Sequence, residues 1–465
     1  MKRLLLTAAT SFLIFIANAQ WLSQNAGFTN DVLGFYEMSI VNKNTVWAVC
    51  YDGRLGLNNG RFILDFTRTT DGGNTWIPGK MGNDHSLQFS NISAVSEDEA
   101  WVAMNKRFTY GGGLYHTTDG GVTWAQAGVG EIFDENSFPN FVHFKDRNKG
   151  IAMGDPNNGY FEIYTTTNKG KKWKRVPEAD LPPIVPGEFG WISGFYAVGE
   201  TVWFGTSAGR IYKTTNFGKD WTVSTVDPDG KFVNEIAFND DMMRGVAHLR
   251  GVGGTFLYAT TDGGATWTLV GQPLNWKRSR LTAVPGTDAL ISTSVIPFDP
   301  GSAVSYDNGA TWTEIERTTQ KAVARFFDAG TGWSGGFHIS IPGAPFNGGI
   351  YKSQIAFEQQ AVANKGRSDE DPGLWKRSII ENEKMLAQLV KIYPTPANDV
   401  INVTLPDESL GVISILTTDG KLLESKRIMG SRLVQFNVSK LPAGQYILRI
   451  FTKTQAIGKV ITIQR

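Results

Sequence analysis

Thr69-Thr-Asp-Gly-Gly-Asn-Thr-Trp76 decides the fold, because the same eight-residue phrase returns five more times along the chain. Its copies are Thr117-Thr-Asp-Gly-Gly-Val-Thr-Trp124, Thr166-Thr-Asn-Lys-Gly-Lys-Lys-Trp173 and Thr214-Thr-Asn-Phe-Gly-Lys-Asp-Trp221, then Thr260-Thr-Asp-Gly-Gly-Ala-Thr-Trp267 and Ser305-Tyr-Asp-Asn-Gly-Ala-Thr-Trp312. The third positions, Asp71, Asp119, Asn168, Asn216, Asp262 and Asp307, are 45 to 49 residues apart. That is the length of one four-stranded blade in a radially repeated β fold. The physics of the phrase is local. A carboxylate or amide oxygen opening a tight turn accepts N–H groups of that turn, glycine supplies its positive φ, and the tryptophan starts the next strand. Asn168 and Asn216 keep the acceptor and lose the charge, an exchange that a turn tolerates and a general acid or metal ligand does not. The six positions therefore read as scaffolding, with Trp76, Trp124, Trp173, Trp221, Trp267 and Trp312 packed on the sheets.

Each phrase follows a strand with an aromatic near its end, such as Gly113-Leu-Tyr-His116 and Phe256-Leu-Tyr258. A seventh such strand, Gly349-Ile-Tyr-Lys-Ser353, is followed by neither the turn nor the tryptophan. The strand pairs that open a unit also occur seven times, from 36–50 to 322–337. Gln20-Trp21-Leu22-Ser23 reads like the piece after a turn, with Trp21 in the tryptophan place, so residues 20–26 are expected to cross over and complete the last sheet. The expected fold is all-β: a seven-bladed β-propeller over 20–353, then a small Ig-like β-sandwich. The phrase resembles the Asp-box of sialidases, sortilin-type receptors, xyloglucanases and photosystem II assembly-factor-like propellers.

Residues 1–19 read as a signal peptide, with Lys2 and Arg3 before the apolar run Leu4 to Ala17, and Ala17-Asn18-Ala19 as the cleavage site. No later stretch approaches a membrane-spanning length, so no span is expected in the mature chain. The single cysteine, Cys50, allows no intramolecular bridge, and stability must come from the core. Residues 354–390 read as a linker: ten of the twenty residues from Lys365 to Lys384 are charged and Asp371-Pro372-Gly373 breaks any helix. Strand signals return over 391–465. Ile392-Tyr-Pro-Thr-Pro-Ala397, Asp419-Gly-Lys421 and Leu441-Pro-Ala-Gly-Gln-Tyr-Ile-Leu448 resemble the type A C-terminal sorting domain of the type IX secretion system of Bacteroidetes, with Thr395 where that family usually carries Asn. The resemblance implies the type IX machinery as partner, crossing of the outer membrane, and release or attachment at the cell surface.

Chemistry is thinly marked. With 45 Lys+Arg against 44 Asp+Glu, nothing global favours nucleic acid or an anionic membrane. The sequence suggests no cofactor and no metal: the five histidines have no ligand spacing, and phosphate loops, dinucleotide fingerprints and serine elbows are absent. A propeller's usual site is the mouth of its channel. Asp155, after a strand in Ala152-Met-Gly-Asp-Pro156, and Glu188, in the long insertion Pro177 to Trp191, are the catalytic candidates there. Glu131, Asp134 and Glu135 form a further acidic cluster. Phe189, Trp191, Trp276 and Phe298 fall in or beside loops and are candidates for stacking on sugars. Lys277-Arg278-Ser279-Arg280 reads as a solvated basic turn. The resulting expectation is a non-catalytic surface binding protein for glycan or envelope protein. The alternative is a glycoside hydrolase acting on polysaccharide through mouth carboxylates.

Overall fold

The structure, a computed structural model, describes residues 20–28, 33–52, 63–106, 109–296, 299–336, 349–355, 357, 390–405, 410–418, 422–429, 432–452 and 456–464. The expected signal peptide, most of the charged linker, Phe298 and the turn Asp419-Gly420-Lys421 lie outside the described residues.

The described residues from Trp21 to Ser353 form seven four-stranded antiparallel sheets. Their first strands are Leu33–Ile40, Leu87–Ala94, Pro139–Phe144, Gly190–Val198, Phe232–Phe238, Arg280–Ala283 and Lys321–Asp328. Each of these strands touches the next, and the seventh touches the first, so they close a ring around a channel. Burial grades outward: Leu87–Ala94 is buried along its whole length, while the fourth strand of the first sheet, Ile77–Lys80, is largely exposed. An inner strand is covered on both faces and needs no alternation of apolar and polar residues; an outer strand faces water.

The core is divided into seven, one cluster in each gap between neighbouring sheets. Trp47 and Phe66 of the first sheet meet Leu87 and Met104 of the second; Phe35 and Trp76 of the first meet Val323 and Trp333 of the seventh. The seventh sheet is completed from the other end of the chain. Trp21–Gln24 pairs antiparallel with Ile350–Ser353, Trp21 opposite Ser353 and Gln24 opposite Ile350. Gln24 then ties the seam, donating to the Gly73 carbonyl at 2.7 Å and accepting from the indoles of Trp76 and Trp333 at 3.1 and 3.2 Å.

The repeated turn joins the third and fourth strands of a sheet. Asp119 accepts the Thr123 amide at 2.9 Å and its hydroxyl at 2.6 Å, and Thr117 donates to Asp119 at 2.8 Å. Asn168 and Asn216 accept the equivalent amides of Lys172 and Asp220, each at 3.0 Å. The six turns stand one to a sheet. Five of them bond the turn between the first two strands of their own sheet, as where Gly120 donates to the Asp98 carbonyl at 2.9 Å. Antiparallel order therefore puts both turns of every sheet on one face of the ring. The connections between second and third strands, and between successive sheets, lie on the other face, the mouth.

Residues 391–463 form a three-stranded and a four-stranded sheet that enclose one core, with Ile401 and Phe436 from the first and Ile413, Leu448 and Ile461 from the second. None of the helices among the described residues is long and apolar enough to cross a membrane.

Candidate functional site

The channel is polar where the inner strands bulge. Irregularities between Phe35 and Glu37, and between Val233 and Glu235, re-aim both glutamates. Arg325 of the seventh sheet donates to Glu37 at 2.8 Å. Arg280, from the sixth, stands 2.7 Å from Glu235 of the fifth and 3.8 Å from Glu37 of the first. The first and sixth sheets are not neighbours in the ring, so this guanidinium reaches across the channel. Two further arginines approach from the mouth: Arg250, at the end of the second strand of the fifth sheet, and Arg278, on the connection into the sixth. Between them lies His248, fully buried, edge-on to Trp276 at 5.1 Å between ring centres.

Burial pushes Glu235 up to about 7, against the pull of Arg280 and Arg325. Burial also brings Arg250 down to about 10, with Glu235 opposing and Arg280 adding to the fall. His248 is held well below its ordinary value by burial and by the neighbouring Arg250 and Arg278 charges, so it is neutral. Its two ring nitrogens find no hydrogen-bond partner among the described residues. Among the described residues this cluster sets four guanidinium groups near Glu37 and Glu235, the latter ionising only near neutrality. Such a site favours an incoming carboxylate, which arginine can hold bidentately. Arg280 and Arg325, with 16% and 26% of their side chains exposed, are open to the channel.

Asp155 and Glu188 share the mouth face. Asp155 is buried and accepts from the Asn140 amide at 2.6 Å and from the Gly190 backbone at 3.1 Å, tying the third sheet to the fourth. Glu188 has no exposed side-chain surface. It accepts two bonds from Arg210, the Nε one at 2.9 Å, together with the Thr206 hydroxyl at 2.6 Å and the Val185 amide at 3.1 Å. Its oxygens are committed to holding the rim insertion in place. Glu131 accepts the Trp173 amide at 3.3 Å, and Asp134 caps its own turn at Asn136.

Among the aromatic candidates, Trp191 is half-buried and stands edge-on to Phe232 at 4.6 Å, with Phe189 beside the same ring. Trp276 is 2% exposed, so its face is not open for stacking; it is a wall of the arginine cluster instead. The basic run 277–280 is likewise no solvated turn. Lys277 is buried and paired with Asp299 at 2.6 Å and Glu314 at 3.3 Å, while Arg278 and Arg280 turn into the channel region. The sequence signal was there in the alternation Lys-Arg-Ser-Arg leading into a strand, but a charged inner strand contradicts the usual apolar reading. No group of three or more potential metal ligands occurs among the described residues.

These features define an all-β, propeller-like protein with Asp-box repeats, followed by a C-terminal β module with its own core. Residues 391–464 match the secretion system C-terminal sorting domain, the type IX signal that directs proteins to secretion or the outer surface. Residues 111–251 match the photosynthesis system II assembly factor YCF48 family. The xyloglucanase Xgh74A of Acetivibrio thermocellus is 25% identical over 243 residues, covering 43% of this chain and 28% of that enzyme. The chain therefore spans less than a third of the length of the curated relatives it matches. Among solved structures, YCF48 bound to D1 peptide is 17% identical with a TM-score of 0.47, covering 75% of this chain and 99% of that one. The GH74 enzyme of Niastella koreensis is 13% identical with a TM-score of 0.43, covering 92% and 71%.

Proposed function

We propose that this is a non-catalytic binding protein of the cell exterior: a seven-bladed propeller, each sheet a blade, followed by an Ig-like sorting sandwich. Its mouth takes a carboxylate-bearing segment of another exported protein. The observation that carries this reading is the gathering, among the described residues, of Arg250, Arg280 and Arg325 near Glu37 and Glu235, with Arg278 beside His248. Below about pH 7 Glu235 takes up a proton and loosens its hold on Arg280, so the cluster gains positive charge. An acidic peptide is expected to bind the intact protein more tightly at pH 6 than at pH 8. Arg280→Ala and Arg325→Ala should each weaken it about tenfold, the scale of one charge-assisted hydrogen bond. Fluorescence anisotropy with an acidic and a matched neutral peptide decides the matter. Equal binding of both peptides, or indifference to the arginine substitutions, rejects the proposal, and preferential binding of an acidic oligosaccharide reassigns the partner to glycan.

A second reading, hydrolysis of polysaccharide by mouth carboxylates, is favoured by one feature. Glu235 is poised to give or take a proton near neutrality, beside Glu37 and a shared guanidinium. Asp155 is the other carboxylate candidate at the mouth, held by Asn140 and the Gly190 backbone, while Glu188 is bound up with Arg210. Release of reducing ends from xyloglucan or a related glycan, abolished by Glu235→Gln or Asp155→Asn, would establish it.

A further inference from the structure

The sorting module does not hang free of the ring in this structure. It touches the mouth face at two places, on successive connections between sheets. Arg449, on the strand Gly444–Thr452, donates to the backbone carbonyl of Asp229 at 3.2 Å and is 8% exposed. The connection it meets, 226–231, leads from the fourth sheet into the fifth and is stiffened internally. Asp227 accepts Lys231 Nζ at 2.5 Å and also the Tyr258 hydroxyl, which leaves the 229–230 turn fixed and pointing outward. Asp229 itself keeps 70% of its side chain exposed. The second foothold is on the connection from the third sheet into the fourth. A Cβ placed on Gly187 would stand 3.1 Å from the Cβ of Ser425, so the strand Leu422–Met429 runs against the backbone there.

Close in sequence to the two footholds is the only small apolar cluster among the described residues that belongs to no gap between sheets and to no sandwich core. It consists of Phe189, Phe232 and the half-buried Trp191. Phe189 is two residues from Gly187, and Phe232 three from Asp229. The Arg449 guanidinium is pushed down by burial, while the Asp229 and Asp227 charges pull the other way, as expected for a cation seated in an acidic notch.

We propose that the sorting sandwich is an intramolecular cap on the mouth face, docked through Arg449 on the 226–231 connection and through Ser425 at Gly187, and that its departure uncovers the Phe189–Trp191–Phe232 rim as a contact surface. The occupant is this chain's own C-terminal module. Covalent linkage within one chain makes this an intramolecular contact, so one of modest strength stays made in the intact chain and is lost once the linkage is cut. The device does not depend on the arginine cluster binding a ligand: the cap can be present with that reading wrong, and absent with it right.

Amide exchange read by mass spectrometry on the intact chain tests the cap. In wild type, peptides covering 186–191 and 227–232 should exchange at least tenfold more slowly than in protein cleaved at a protease site inserted in the linker and freed of its sandwich. Arg449→Glu and Asp229→Lys should each abolish that protection, and the double variant, which restores opposite charges, should recover much of it. Exchange over 444–452 in the same samples reports whether the sandwich itself stays folded, and Asp229→Lys lies on an exposed turn, so one variant is free of that concern. Equal exchange in intact and cleaved wild type overturns the proposal. So does protection unaffected by both single substitutions.

Discussion

Glu188 shows how a residue that looks catalytic in a loop is consumed by structure. A carboxylate with both oxygens bonded to Arg210, Thr206 and a backbone amide cannot also approach a sugar or shuttle a proton. Removing one member of a buried, bonded ion pair leaves the other without compensation and costs about 3–5 kcal/mol. Glu188→Ala is therefore expected to lower the unfolding free energy by roughly that amount in a urea titration, with the Pro177 to Trp191 insertion loosened first, whether or not any activity exists. The repeated turn makes the opposite case, a charge that adds to a bond without being essential to it. Asp119 sits down at about 2, because the Thr123 hydroxyl and amide, and then Thr117, bond its charged form. A carboxyl depressed in the folded state stabilises above its unfolded value and loses that contribution as pH falls toward 2. Melting curves should show Asp119→Asn slightly less stable than wild type at pH 7 and the gap closing between about pH 4 and pH 2. Asp119→Ala, lacking any acceptor, should melt lower than Asp119→Asn at every pH.

At the scale of elements, the seam that closes the ring is the most exposed to test. Trp21 packs against Phe326, with ring centres 6.1 Å apart, and donates its indole N–H to Ser302 of the sixth sheet at 3.0 Å. One side chain thus joins the first strand of the chain to two sheets near the other end. Trp21→Ala should cost about 3–5 kcal/mol, as for other large aromatics removed from a core. Deleting residues 20–26 should do more, because Ile350–Ser353 then becomes an unpaired edge and invites association; light scattering on heating reads that directly. These elements were legible because their signals are periodic: the turn phrase marks each third-to-fourth strand junction, and its absence after Tyr351 together with Trp21 near the start implied the crossover. The charged positions of the channel were not legible. Glu37 and Glu235 follow bulges that break the alternation from which facing is inferred, and Arg280 is the first residue of a strand, in a run that the sequence reads as a solvated turn before it. Nor could spacing show that Arg280 and Glu37, 243 positions apart, meet across the ring. Nor did the sequence show that the stacking candidate Trp276 is buried, since a tryptophan beside a loop is also a group suited to wall a buried polar cluster.

For the molecule as a whole, seven separate cores mean that no single layer holds the ring; closure does, and the charged channel adds a condition set by pH. Glu235 is the group through which that condition acts. Its carboxyl, raised to about 7 by burial, is protonated in the folded chain at pH values where an unfolded glutamate, at 4.5, is already ionised. The folded state therefore binds more protons than the unfolded state between those two values, and stability falls as pH rises through that window. Below it both states are protonated and above it both are ionised, so the slope is confined to about pH 4.5–7. Glu235→Gln, which keeps the shape and removes the titration, should flatten the midpoint of thermal unfolding across that window while leaving its value at pH 5 close to wild type. Arg280→Ala should act in the opposite sense. Without the nearest cation, Glu235 is harder to ionise, and the slope should extend above pH 7. A pair of calorimetric pH series on these two variants reads the charge balance of the channel independently of any ligand. A wild-type curve already flat from pH 5 to pH 7 would place the Glu235 proton elsewhere, and with it the acid-side gain in affinity expected at the mouth.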